Sequence, residues 1–264
     1  MCYFKSFIAT KDKLYHVNGL NSHEDIVSYH GLPDRMDRDG RVQIVRMELL
    51  PPEVSTDNID NILDPEWWTF RTDQDLLPDW YVPEEWHEKC KLWVANAPVL
   101  TGRKAIVDSW YLLAKDADIH AMVNGGEVHY FCGGMLKNFR GGTLNDFWGG
   151  MINSFNSGTL NNFRGGTLNY FNSGTLNNFN GGTLNTFFGG TLSYFHGGTL
   201  NTFWGGMLSY FNGGTLNDFR GGMINSFNSG TLNNFRGGTL NNFIGGTLVR
   251  DHRKKVSHES HDAG

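Results

Sequence analysis

From Val128 to Leu248 every eighth residue is aliphatic, and from Phe131 to Phe243 every eighth residue is Phe, without an insertion or deletion. The unit that carries this pattern is G-G-T-L-N-x-F-x, repeated sixteen times between Gly125 and His252. Its second position is always Gly; its third is Thr in eleven units and Met in four (Met135, Met151, Met207, Met223). The fifth is mostly Asn or Ser, and the sixth and eighth vary widely, which predicts that those two face solvent. A flexible Gly-rich linker has no reason to hold Leu and Phe in register. Each such side chain removed from water contributes about 1.5–3 kcal/mol, so unbroken spacing implies burial. A Gly pair every eight residues excludes helix, at about 1 kcal/mol per Gly relative to Ala. The pattern predicts a parallel β-solenoid, with strands at "TLNxF" and turns at "xGG", where Gly can take positive φ.

Leu and Phe are three positions apart, and strict alternation would send them to opposite faces of a strand. A bend near the fifth and sixth positions resolves this, with both side chains inside and the fifth-position Asn (Asn145, Asn161) bonding backbone groups at the corner. The expected core includes Phe139, Phe147, Phe155, Phe163, Leu144, Leu160 and Leu168. Two octads per coil, giving about eight coils, is the preferred winding; three remains the alternative. The segment "GGMINSFNSGTLNNFR" occurs unchanged at 149–164 and 221–236, and duplication of whole coils explains it.

Before the repeats the periodicity changes. "CYFKSFIAT" and "KLYHV" predict a hairpin, and "SHEDIVSYHGL" a short helix with Ser22 as N-cap, Asp25 as the capping-box acid and Gly31 as its stop. "RVQIVRMELL" predicts a strand ended by Pro51 and Pro52, and "WWTFRT" another. "VPEEWHEKCKLWVANA" predicts an amphipathic helix with Trp86, Cys90, Trp93 and Val94 on one face. The expected organisation is a small α+β N-terminal domain over residues 1–116 that caps the stack, a solenoid over 117–252, and a charged, disordered tail over 253–264.

Composition divides along the same line. Of 34 Gly, twenty-nine lie in the repeats, and six of the eight Trp lie between positions 67 and 110. Residues 1–124 carry a net charge of −8, whereas the repeats carry +2. Three scattered cysteines (Cys2, Cys90, Cys132) form neither a disulfide framework nor a metal pair, which predicts a reducing, cytoplasmic setting. No leader-like or membrane-spanning run is visible.

Little of this predicts chemistry. The Gly pairs lack the Lys-Ser/Thr of a phosphate loop. His252, His258 and His261 match no zinc spacing, and helix capping accounts for His23, Glu24 and Asp25. No enzyme, metal or cofactor is expected. The variable positions place Trp148, Tyr170, Phe188, Tyr194, Trp204 and Tyr210 outside, with Arg140, Arg164, Arg220 and Arg236 among them. Tyr, Trp and Arg are the side chains that dominate binding hot spots.

The octads, with "KSFIATKDKLYH", "SHEDIVSYHGLPD" and "DQDLLPDWYVPEEW", resemble uncharacterised octapeptide-repeat proteins of gut bacteria and their phages, in which a short N-terminal domain precedes GGT(I/L)xx(V/F)x repeats. That resemblance implies the host cytoplasm as the setting if the chain is phage-borne, and it brings no catalytic residues. A looser likeness is to pentapeptide-repeat proteins, some of which mimic DNA; a period of eight and a repeat charge of +2 set this chain apart. The expected function is a non-enzymatic binding or scaffold protein that presents variable side chains to a macromolecule, a protein rather than a nucleic acid or a membrane. Homodimerisation through an edge or face is a further expectation. Small-ligand or nucleotide capture between stacked repeats, and ice-surface binding through the Thr columns, are the alternatives.

Overall fold

The computed structural model describes residues 5–18, 20–34, 36, 41–54 and 57–253. The chain divides into two units, Met1–Pro98 and Val99–Gly264.

In the first unit, β1 (Lys5–Ala9) and β2 (Leu14–Tyr15) form the predicted hairpin, with Ile8 opposite Tyr15. With β3 (Val45–Leu50) and β4 (Thr69–Thr72) they make an antiparallel sheet of order β2-β1-β3-β4. Helix α1 (His23–His30) starts where the sequence places it: the Ser22 side chain accepts from the Asp25 amide, and Gly31 ends the helix at φ 61°. The Ser22 hydroxyl donates to the Glu24 carboxylate, rather than to Asp25, at 3.0 Å. Helix α2 (Pro83–Ala95) buries Trp86, Cys90 and Val94. Edge-to-face contacts of Trp93 with Trp68 at 5.8 Å and with Phe7 at 5.9 Å add to the aromatic packing of this unit. Cys90 is buried and Cys132 half-buried; Cys2 lies outside the described residues.

The second unit is a parallel β-solenoid of about ten turns. It opens with four long strands, β5 (Val99–Val107), β6 (Trp110–Met122), β7 (Glu127–Phe139) and β8 (Thr143–Phe155), each paired in parallel with the next. Thereafter each octad supplies one five-residue strand: β9 (Thr159–Phe163), β10 (Thr167–Phe171), then β11 to β18 within Thr175–Phe235, β19 (Thr239–Phe243) and β20 (Thr247–Asp251). Thr167, Leu168, Tyr170 and Phe171 pair with Thr183, Leu184, Thr186 and Phe187, sixteen residues on. Two octads therefore make one coil. Alternate octads form two stacks, one built on β9 and one on β10, and the Leu and Phe side chains of both meet in a single core.

Two expectations need correction. Parallel pairing begins at Val99 rather than at residue 117, so the solenoid exceeds the expected eight coils. Strands β5 and β6 lack the Gly pair, yet Val107 pairs with Met122, which pairs with Phe139, and all three are buried. Aliphatic side chains thus continue the core where the repeat signature has stopped.

The second correction concerns the bend. Pairing runs through the third, fourth, sixth and seventh positions and lapses at the fifth, so Leu and Phe both point inward. Phe139, Phe147, Phe155, Phe163, Leu144, Leu160 and Leu168 are all fully buried. The fifth-position amides bond one another rather than the backbone. In the β10 stack Asn169 donates to Asn153, Asn185 to Asn169, Asn201 to Asn185, Asn217 to Asn201 and Asn233 to Asn217, at 2.6–3.2 Å. Each amide donates to the coil before and accepts from the coil after, which satisfies one donor and one acceptor per turn. In the β9 stack the ladder runs from Asn145 to Ser193 at 2.7–3.5 Å.

The invariant second-position Gly is fixed by two constraints at once. Gly198 has φ 88°, and a Cβ there would lie 2.5 Å from the Gly182 carbonyl oxygen of the preceding coil.

Candidate functional site

The sixteen-residue coil decides which variable side chains can act together. Sixth- and eighth-position residues on alternate octads belong to different stacks, so the ten expected surface residues divide. Trp148, Arg164, Tyr194 and Tyr210 lie on the β9 stack. Arg140, Tyr170, Phe188, Trp204, Arg220 and Arg236 lie on the β10 stack.

On the β10 stack five of these occupy five successive coils. Tyr170 stacks on Phe188 with ring centroids 6.5 Å apart. Trp204 follows in the eighth-position column, with the Arg220 guanidinium 4.7 Å from its ring centroid. Arg236 donates to Asp218 at 2.8 Å, and Arg220 reaches the other oxygen of the same carboxylate at 3.5 Å. The hydrogen bond from Arg236, together with the charge of both arginines, holds the Asp218 carboxyl below the usual carboxylate range. Tyr170, Phe188 and Trp204 are 46%, 47% and 48% exposed. At about 4.8 Å per coil the stripe is about 19 Å long. Arg140 lies outside it: Asn156 and Asn172 occupy the two coils between Arg140 and Phe188 in that column.

The β9 stack is organised differently. Tyr194 and Tyr210 stack at 5.1 Å, and His196 lies against Tyr194 at 5.7 Å. Two coils before Tyr194, Arg164 lies 4.4 Å from the Trp148 ring centroid and donates to Asp146 at 2.7 Å. Sixth-position residues are not always outside: Tyr130 and Asp146 are buried. Burial pushes the Asp146 carboxyl up from its ordinary value, partly offset by the Arg164 charge and hydrogen bond.

The other sequence candidates resolve simply. His252, in the eighth position, contacts the sixth-position Asn234 of the preceding coil at 3.2 Å; His258 and His261 lie outside the described residues, as does nearly all of the tail expected from 253. Arg253, the last described residue, folds over the Phe235 ring at 3.9 Å. His23 turns away from Glu24 and Asp25 and reaches the Met47 carbonyl and Asp73 instead. No helix among the described residues is long and apolar enough to cross a membrane.

Compared with protein-family models, curated proteins and solved structures, the chain matches none.

Proposed function

We propose that the protein is a non-enzymatic binding scaffold whose β10 stack presents the stripe Tyr170–Phe188–Trp204–Arg220–Arg236 to a protein partner. The observation that carries this reading is the continuity of the stripe. Three half-exposed aromatic rings and two arginines stand on consecutive coils whose backbones are locked by parallel ladders on both sides. Rigid aromatic anchors lose little entropy on binding, and Arg beside them favours a carboxylate-bearing surface around an apolar patch. Two arginines sharing one aspartate leave too little positive charge for a phosphate backbone.

Capture of a flat ligand between rungs is a weaker reading. A ring sandwiched between two others needs about 7 Å, twice the carbon–carbon contact distance, whereas Tyr194 and Tyr210 are 5.1 Å apart. The ice-surface reading draws on six Thr aligned in one column of the β10 stack, Thr167 to Thr247; absence of thermal hysteresis ends it.

Affinity capture tests the main reading. Wild type, Phe188→Ala/Trp204→Ala and, on the other stack, Tyr194→Ala/Tyr210→Ala are compared at matched fold by circular dichroism. The expected result is a stoichiometric partner lost only with the first double variant. A partner retained by that variant, or no partner in any host lysate, refutes the proposal.

A further inference from the structure

Three residues far apart in sequence meet in the N-terminal unit: His23 at the start of α1, Glu48 in β3, and Asp73 just past β4. One ligand atom from each lies within 4.8 Å of the other two. Three atoms at that spacing have a common centre no more than about 2.8 Å from each, so a small inward shift of the side chains brings all three to the 2.0–2.2 Å of a metal bond. Every member is fixed by its own element. The Ser22 cap sets the first turn of α1, Glu48 lies in the middle of a buried strand paired on both sides, and the Asp73 amide donates to the Arg46 carbonyl at 2.8 Å.

The orientation of His23 is the informative detail. Its side chain is 7% exposed, and Nε2 lies 3.0 Å from the Met47 carbonyl oxygen. A carbonyl only accepts, so Nε2 carries the hydrogen. The other nitrogen, Nδ1, faces Asp73 Oδ2 at 3.5 Å. In the neutral ring Nδ1 presents a lone pair to the Asp73 carboxylate, an arrangement that a shared cation, either a proton or a metal ion, relieves. Metal-ligating histidines have this arrangement, with one nitrogen held by a backbone carbonyl and the other presented to the ion.

We infer that His23 Nδ1, Glu48 and Asp73 bind one first-row divalent cation of the Zn2+ or Mn2+ class, for which one imidazole and two carboxylates are a suitable donor set. Asp73, 43% exposed, is the entry side and leaves coordination positions open to water. Arg71, itself 56% exposed, now pairs with Glu48 and lies 3.7 Å from Asp73. It is the internal competitor for the site and swings outward when the ion enters.

The test uses the full chain with His258→Ala/His261→Ala, so that tail histidines contribute nothing, after chelation and dialysis. ZnCl2 and MnCl2 are titrated separately by calorimetry, with melting temperature as a second readout. The expected result is one equivalent bound by one of the two ions and a raised melting temperature. Asp73→Asn, at a partly exposed position, keeps the fold and weakens binding about tenfold or more. Arg71→Gln lowers the melting temperature of the metal-free chain and tightens binding about tenfold, because a competing cation has gone. A proton alone between His23 and Asp73 predicts no stoichiometric binding of either ion, and that result overturns the inference. So does binding that Asp73→Asn leaves unchanged, or that Arg71→Gln weakens.

Discussion

Adjacent glycines in one turn should respond oppositely to the same substitution. Gly197 and Gly198 open the octad that contains Thr199 and Trp204. At Gly198 the backbone has φ 88°, and an added Cβ would lie 2.5 Å from the Gly182 carbonyl oxygen and 3.0 Å from its amide nitrogen. The left-handed conformation costs an L-residue about 1–2 kcal/mol. Relieving the contact must move a coil whose Gly182 carbonyl accepts from the Thr199 amide at 2.9 Å, and losing that bond costs about 1 kcal/mol more. Gly198→Ala is therefore expected to destabilise its neighbourhood by about 2–3 kcal/mol. At Gly197 the nearest atom to an added Cβ is the Asn180 carbonyl oxygen at 3.6 Å, an ordinary contact, and φ is not in the left-handed region. Gly197→Ala should be neutral or stabilise by about 0.4–1 kcal/mol through the unfolded chain. Ser157, Ser173 and Ser229 already stand at the equivalent position, each bonding a carbonyl of the coil before. Solenoids can open locally, so the assay is amide hydrogen exchange over residues 183–215, supported by urea melts followed by Trp fluorescence. Equal effects of the two substitutions, or a stable Gly198→Ala, would refute the reasoning.

Arg164→Met removes the charge that offsets burial of Asp146 and should cost about 3 kcal/mol at neutral pH. The folded-state pKa of Asp146 is raised, so protonation favours the fold: the deficit should shrink as pH falls through that value towards the unfolded carboxylate range, and a deficit independent of pH counts against it. Burial pushes the Cys90 thiol up to about 12, so a thiol reagent at neutral pH should leave Cys90 unmodified in the native chain and modify it on unfolding; native labelling read by peptide mapping would contradict this.

The winding was legible because it is written sixteen times: a fixed Leu–Phe interval and an invariant Gly each encode one geometric requirement. What the sequence concealed falls into two kinds. Strands β5 and β6 belong to the solenoid without repeating it, since their inward positions need only be apolar and the turn between them is made by Asp108 and Ser109 rather than a Gly pair; Leu100, Ala114 and Ile119 do in the core what Leu and Phe do later. The His23, Glu48 and Asp73 cluster is invisible for another reason. Its members stand on α1, on β3 and just past β4, so no local spacing joins them, and in the sequence the capping role of the "SHED" segment is sufficient to account for its residues. The sequence places the fifth-position Asn at a bend but does not name their partners, because the acceptor that each amide finds is its own copy one coil away.

Coil size also changes the meaning of the repeated segment. The copies at 149–164 and 221–236 are 72 residues apart, four and a half coils of sixteen. The same sequence therefore begins on the β10 stack in one copy and on the β9 stack in the other: Met151 pairs with Thr167, Met223 with Met207. The inserted unit is the octad rather than the coil, and either stack accepts it. The likeness extends further back, since 141–164 and 213–236 differ only where Trp148 is replaced by Arg220. Yet the aspartates of the two copies titrate in opposite directions. Asp146 has Tyr130 before it in its column and Trp148 two residues on, is buried, and is pushed up. Asp218 has Thr202 before it and Arg220 two residues on, is more open, and is held down. Near-identical sequence thus gives two electrostatic environments, set by one eighth-position side chain and by the neighbouring coil. In such a solenoid the repeat fixes where a side chain stands, and what that side chain can bind is decided by the coils stacked on either side of it.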